Sequence, residues 1–165
     1  MKKVEKITSL EKLLRSLGRE LFVRYVMWEM KTQEVDPSSD IESVVEPYFE
    51  FYEREAKDPE DSSRDLINGF HWFRTLRKAY MRMGKSEKLR EIIEPFMKGW
   101  SWDMASDIVK TLLLAGTAEM LATEVPEQVV ISQYVDIGFK YADPKGARFV
   151  NAVLDAIKRK HKKGV

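Results

Sequence analysis

The chain has 165 residues, 44% of them hydrophobic and 33% charged, with a net charge of +1 and no cysteine. This apolar content suits one globular domain over residues 1–165 and excludes a disordered chain, disulfides and thiolate metal sites. No stretch reaches the ~18 apolar residues of a membrane span. Met1-Lys2-Lys3-Val4-Glu5-Lys6 lacks the apolar run of a secretory signal, so a cytoplasmic location is the default expectation.

Taken in order, Leu10, Leu13, Leu14, Leu17, Leu21, Tyr25 and Trp28 recur at the 3.6-residue period of a helix, with Thr8 and Glu11 spaced as a capping box. Asp36-Pro37-Ser38-Ser39-Asp40 breaks that pattern with turn chemistry. A second stripe runs through Ile41, Val44, Val45, Tyr48, Phe49 and Tyr52, with a kink or late start expected at Pro47. Leu66, Ile67, Phe70, Phe73, Leu76, Tyr80 and Met83 predict a third helix closing near Gly84, and Leu89, Ile92, Ile93 and Phe96 a short fourth. Ser101 is the expected cap of a fifth helix through Ile108, Leu112, Ala115 and Met120. Val125-Pro126 opens a sixth, through Val129, Val130, Tyr134, Ile137, Gly138 and Tyr141.

Asp143-Pro144-Lys145-Gly146 separates it from a seventh, in which Phe149, Val150, Val153, Leu154 and Ile157 share one face. No segment alternates with period two between hairpin turns, so the expected fold is all-α, a compact bundle of about seven helices. The basic run from Lys158 to Lys163 begins a cationic tail over residues 158–165.

Charge is divided unevenly. Between Glu34 and Asp61 eleven acidic residues stand against Arg54 and Lys57, a net of −9, which leaves +10 on the rest of the chain. One reading is a face that attracts an anionic polymer, and the other is an ordinary mixed surface.

Catalytic signatures are missing. The chain has no glycine-rich phosphate loop, no dinucleotide fingerprint and no paired-histidine zinc spacing. Of its two histidines, His71 lies among aromatic residues and reads as structural, and His161 sits in the basic tail. A non-enzymatic protein with neither metal nor cofactor is the expectation.

From Trp100 onward the chain resembles the NusB family. Trp100-Ser101-Trp102-Asp103 is similar to the family's entry to its fifth helix, and Leu112, Leu113, Ala115, Glu119 and Met120 to its leucine-rich segment. Val125-Pro126 matches the turn that follows, and Phe149-Val150-Asn151-Ala152-Val153-Leu154-Asp155 departs from the family pattern only at Ala152. Near the N-terminus Arg19-Glu20 fits the opening of the first helix, while Phe22, Arg24, Met27, Met104, Val109, Leu114, Ala118 and Ser132 depart from the residues usual there.

The resemblance implies a NusB-like fold and a regulator of transcription antitermination. Such a protein binds the single-stranded leader RNA of ribosomal operons, with the ribosomal protein NusE and the RNA polymerase elongation complex as partners. Lys2, Lys3, Lys6, Arg15, Arg19, Lys145 and Arg148 are then the candidate phosphate contacts. Phe149 and Asn151 are candidates for touching a base, with core packing and a helix–turn hydrogen bond as their structural alternatives. Met27, Val109 and Glu119 fall at partner-binding positions. The leading helix and the last inter-helix turn are expected to form one cationic surface. The alternative is a protein-interaction or homodimerising module that has lost RNA readout, marked by tryptophans exposed together among Trp28, Trp72, Trp100 and Trp102.

Overall fold

A computed structural model describes residues 9–36, 38, 47 and 64–161. Among them are six α-helices and no strand: α1 (Ser9–Val35), α2 (Arg64–Arg82), α3 (Lys85–Ile93), α4 (Asp107–Ala122), α5 (Glu127–Tyr141) and α6 (Pro144–Lys160). Short 3-10 turns at Glu94–Phe96 and Trp102–Met104 link α3 to α4. Apart from Pro47 itself, the stripe expected from Ile41 to Tyr52 lies outside the described residues, as does Thr8 of the expected capping box. The fifth predicted helix starts later than expected. Ser106, not Ser101, is its cap, accepting from the amide of Val109, because residues 102–104 close a separate 3-10 turn.

The central element is α4, buried without interruption from Val109 to Met120 and packed by α1, α2, α3, α5 and α6. A helix covered on every side has no polar stripe, so its run of Leu112, Leu113 and Leu114 reads as continuous apolar chain. Full burial of each leucine stabilises the fold by about 1.5–3 kcal/mol relative to leaving it in water.

The first helix buries only part of the expected stripe, with Leu14 and Tyr25 turned inward. Leu13 is 66% exposed and Trp28 48%, whereas Phe22, Val23, Tyr25, Val26 and Met30 are buried. This follows from α1 packing against both α2 and α4, which demands a wider inward face than one leucine seam. Tyr25 meets Phe73 and Tyr80 edge-on, and Phe22 meets Tyr80 in the same way.

A buried carboxylate ties α1 to the start of α3. Gly84 (φ 89°) and Lys85 (φ 63°) turn the chain between α2 and α3 through the left-handed region, and Gly84, having no side chain, cannot cap the helix it precedes. Glu29 takes over that task, accepting from the Ser86 amide at 3.0 Å, from Ser86 Oγ at 3.0 Å and from Tyr80 Oη at 2.9 Å. A negative charge at a helix start is favourable because the first amides there lack partners. His71, expected to be structural, is exposed on α2.

Two tyrosines make the stability pH-dependent. Tyr80 and Tyr134 are pushed well above the ordinary tyrosine value, first by burial and then by Glu29 and Glu119 respectively. An unfolded tyrosine ionises near pH ~10 while these keep their protons, so stability falls as pH rises from there. Thermal unfolding between pH 8 and 11 should show the Tm dropping above about pH 10, with a shallower drop for Tyr80→Phe. Equal slopes for the two proteins would contradict this placement of Tyr80.

Candidate nucleic-acid interface

The turn between α5 and α6 is built by three local devices. Pro144 occupies the first turn of α6, and Asp143 Oδ1 accepts from the Gly146 amide at 2.6 Å as the N-cap. Gly138 lets the two helices touch, since a Cβ there would stand 3.2 Å from both Cα and Cβ of Ala147. Gly146 in turn lies on Val109, at the start of α4. The hairpin is thus fastened to the central helix, and it holds Lys145 and Arg148 out in solvent.

Phe149 lies one turn beyond Lys145, half-buried against the core, as expected for a residue at the edge of the inward face. Trp100 completes the group from the α3–α4 connection. Its ring is tilted 50° to that of Phe149 with centroids 5.4 Å apart, and Lys145 Nζ lies 5.3 Å from the Trp100 centroid. The sequence places Trp100 at a helix entry by resemblance and among four tryptophans that would mark a protein interface if exposed together. Its partnership with Phe149 spans almost fifty residues and leaves no periodic signal.

Asn151 does not join them. Two residues along a helix turn the direction by about 200°, so this exposed side chain leaves α6 on the flank opposite Phe149. Its structural alternative, fastening the turn, is filled by Asp143.

Arg19 is corrected from a surface cation to a buried one. It is 3% exposed and grips Glu119 with Nε at 2.9 and 3.0 Å and Nη2 at 2.7 Å from the carboxylate oxygens. Tyr134 Oη donates to the same carboxylate at 2.8 Å. Burial opposes the charge on Arg19, but hydrogen bonding and attraction from Glu119 outweigh it and hold its pKa above the ordinary value. A guanidinium so enclosed cannot meet a phosphate. Arg15 is half-buried, with its guanidinium 4.4 Å from the Trp72 ring centroid. Lys2, Lys3 and Lys6 lie outside the described residues.

Among the described residues, the leading helix and the last turn meet the central helix at different points. Arg19 meets α4 at Glu119, and Gly146 meets it at Val109. These points are about ten residues, or roughly 15 Å, apart along α4, and Arg15 lies a further turn toward the start of α1. Among the described members of the expected cationic patch, Arg15 and Arg19 thus lie toward one end of α4 and Lys145 and Arg148 toward the other. At the tail, Lys158 and Arg159 pair with Asp155 within α6, and residues beyond His161 are not described.

The partner-binding positions also separate. Glu119 is fully buried in the ion pair, and Val109 is buried beneath Gly146, so neither presents a contact surface. Met27 does. It lines an open groove of about 280 Å³ with Glu20, Val23, Arg24, Ile108, Ile137 and Tyr141. Lys140 reaches Glu20 at 2.8 Å across its edge. Among the described residues, no group of three His, Cys, Asp or Glu is arranged to hold a metal, and no helix is long and apolar enough to cross a membrane.

A central apolar helix wrapped by five others, a cationic hairpin flanked by aromatic rings and an apolar groove together define a small all-helical domain. The family model described as the NusB family matches residues 28–159, and the chain belongs to that family. A transcription antitermination protein NusB from Methylacidiphilum infernorum (isolate V4) is 26% identical over 141 residues, covering 84% of this chain and 86% of its own. The proteins of that name from Helicobacter pylori (strain Shi470) and Helicobacter acinonychis (strain Sheeba) are each 32% identical over 80 residues. That match covers 47% of this chain and spans 58% of their length. The family match includes Lys145, Arg148 and Phe149 and begins after Arg15 and Arg19.

Proposed function

We propose that this chain is a non-enzymatic regulator of transcription antitermination in the cytoplasm, binding single-stranded leader RNA of ribosomal operons. The observation that carries the reading is the solvent-facing pair Lys145 and Arg148 beside Phe149, within the stretch that matches the NusB family. Their charges attract phosphates irrespective of sequence, and the adjoining rings offer faces to unstacked bases. The protein acts by tethering: RNA on the hairpin, a partner protein in the groove at Met27, and both delivered to the elongating polymerase.

NusE is the partner the family suggests. The groove supports an apolar contact, because Val23, Met27, Ile108 and Ile137 line it. Met27→Asp should weaken partner capture at least tenfold in a pull-down titration while leaving RNA affinity within twofold. Unchanged capture would move the partner elsewhere.

The RNA reading is tested by fluorescence titration of a ribosomal leader oligonucleotide at several salt concentrations. Each phosphate contact on a single strand contributes a slope of about −0.7 in log affinity against log salt. Replacing Lys145 and Arg148 together with glutamine should flatten that slope by roughly 1.4 and weaken binding at low salt. A wild-type protein with no affinity at low salt overturns the reading. The same groove favours the second reading, a protein-interaction or homodimerising module without RNA readout, which then takes its place.

A further inference from the structure

We propose that Trp100 and Phe149 form a stacking platform for one unpaired base of a single-stranded RNA, with Lys145 serving the phosphate of the same nucleotide. The inference rests on the RNA-binding reading above and adds a residue and a mode of contact to it.

Trp100 is held in place yet remains partly exposed. Its amide donates to Met97 O at 3.0 Å, just after Gly99, whose φ of 79° turns the chain. Two residues on, Trp102 is buried between Arg90 and Lys110, with centroid distances of 5.5 and 5.9 Å, and anchors the connection. Trp100 itself remains 38% exposed, leaning on Phe149, which is packed against the core behind it. A rigid aromatic surface of this kind can receive a base with little loss of its own freedom.

Charge selects the occupant. The first eleven residues of α6, Pro144 to Leu154, include Lys145 and Arg148 and no acidic side chain. Lys98 precedes the tryptophan and Asp103 follows it, both exposed. Lys145 already lies over the indole ring, a contact of the cation–π type that is weak at exposed sites. A base entering over the ring displaces the ammonium toward the phosphate a few ångströms away, exchanging one weak contact for a stacked base and an ion pair. A protein side chain could use the ring equally well but would leave the two cations without a matching chain of anions.

The test compares wild type, Trp100→Ala and Trp100→Phe on a leader oligonucleotide and on versions with one base removed at each position in turn. Thermal unfolding serves as the check that each variant is folded. Trp100→Ala should weaken binding about tenfold, the order one stacked base supplies, with the salt slope unchanged because no phosphate contact is lost. Trp100→Phe should stay within about threefold. At one position of the RNA, removing the base should abolish the difference between wild type and Trp100→Ala. If wild type binds and Trp100→Ala binds equally well, the platform is wrong and the RNA reading stands. A tenfold loss that persists on every base-deleted RNA also overturns the platform, since no single base then meets the ring. If Trp100→Ala keeps RNA affinity and loses NusE, the patch is a protein contact. If wild type binds no RNA, the functional reading fails first and the platform with it.

Discussion

Replacing Arg19 with alanine is expected to destabilise the protein by about 3–5 kcal/mol, the cost of leaving a buried charge unpaired. Glu119 is fully buried, and its carboxylate draws three of its four contacts from Arg19, with only the Tyr134 hydroxyl remaining. The pair as a whole adds little net stability, because desolvation of both ions offsets most of their attraction. Its contribution is alignment, since one geometry alone lets α1, α4 and α5 satisfy the three groups. The double variant Arg19→Met with Glu119→Leu should therefore be markedly more stable than Arg19→Ala, measured by urea unfolding. An Arg19→Ala loss under about 1 kcal/mol, the size of an exposed pair, would return this guanidinium to the surface and restore it as an RNA ligand. The distinction matters for function, because lost RNA binding by an Arg19 variant reports unfolding unless stability is measured alongside.

Gly138→Leu is expected to cost about 1–3 kcal/mol through overpacking and, unlike most core changes, to weaken RNA binding in the protein that still folds. The nearest atoms are the backbone Cα and the Cβ of Ala147 at 3.2 Å, neither of which can swing aside. The N-terminal turns of α6 must then move outward, taking Lys145, Arg148 and Phe149 away from Trp100. Gly116→Ala makes the useful contrast. Its closest neighbour, at 2.9 Å, is Leu154 Cδ1, the end of a flexible side chain, so a smaller loss and near-normal RNA affinity are expected. Equal RNA binding by Gly138→Leu and wild type, with both folded at the assay temperature, would show that the hairpin position does not matter.

The helical architecture was legible because amphipathic periodicity and turn residues agree along most of the chain. α6 shows this best: Val150, Val153, Leu154 and Ile157 are all buried as their spacing requires. The inward face of α1 is only partly legible: Leu14 and Tyr25 are buried as their spacing requires, but Phe22, Val26 and Met30 also turn inward because the helix packs on two sides. Arg19 and Glu119 are one hundred residues apart, and no local pattern distinguishes a buried salt bridge from two surface charges. Trp100 and Phe149 were each visible as motif residues, but their meeting is a property of how the α3–α4 connection lies against α6. That Phe149 and Asn151 leave the helix on opposite flanks follows from their two-residue spacing alone.

In the proposed function, RNA lies on the α5–α6 hairpin and the neighbouring Trp100 connection, and not on the half of α1 that carries Arg15 and Arg19. Photo-crosslinking of a 4-thiouridine-substituted leader oligonucleotide, with peptide mapping by mass spectrometry, addresses it directly. Crosslinks concentrated in residues 97–104 and 143–152 are the predicted result. Crosslinks confined to α1 and α2, around Arg15 and Trp72, would contradict it.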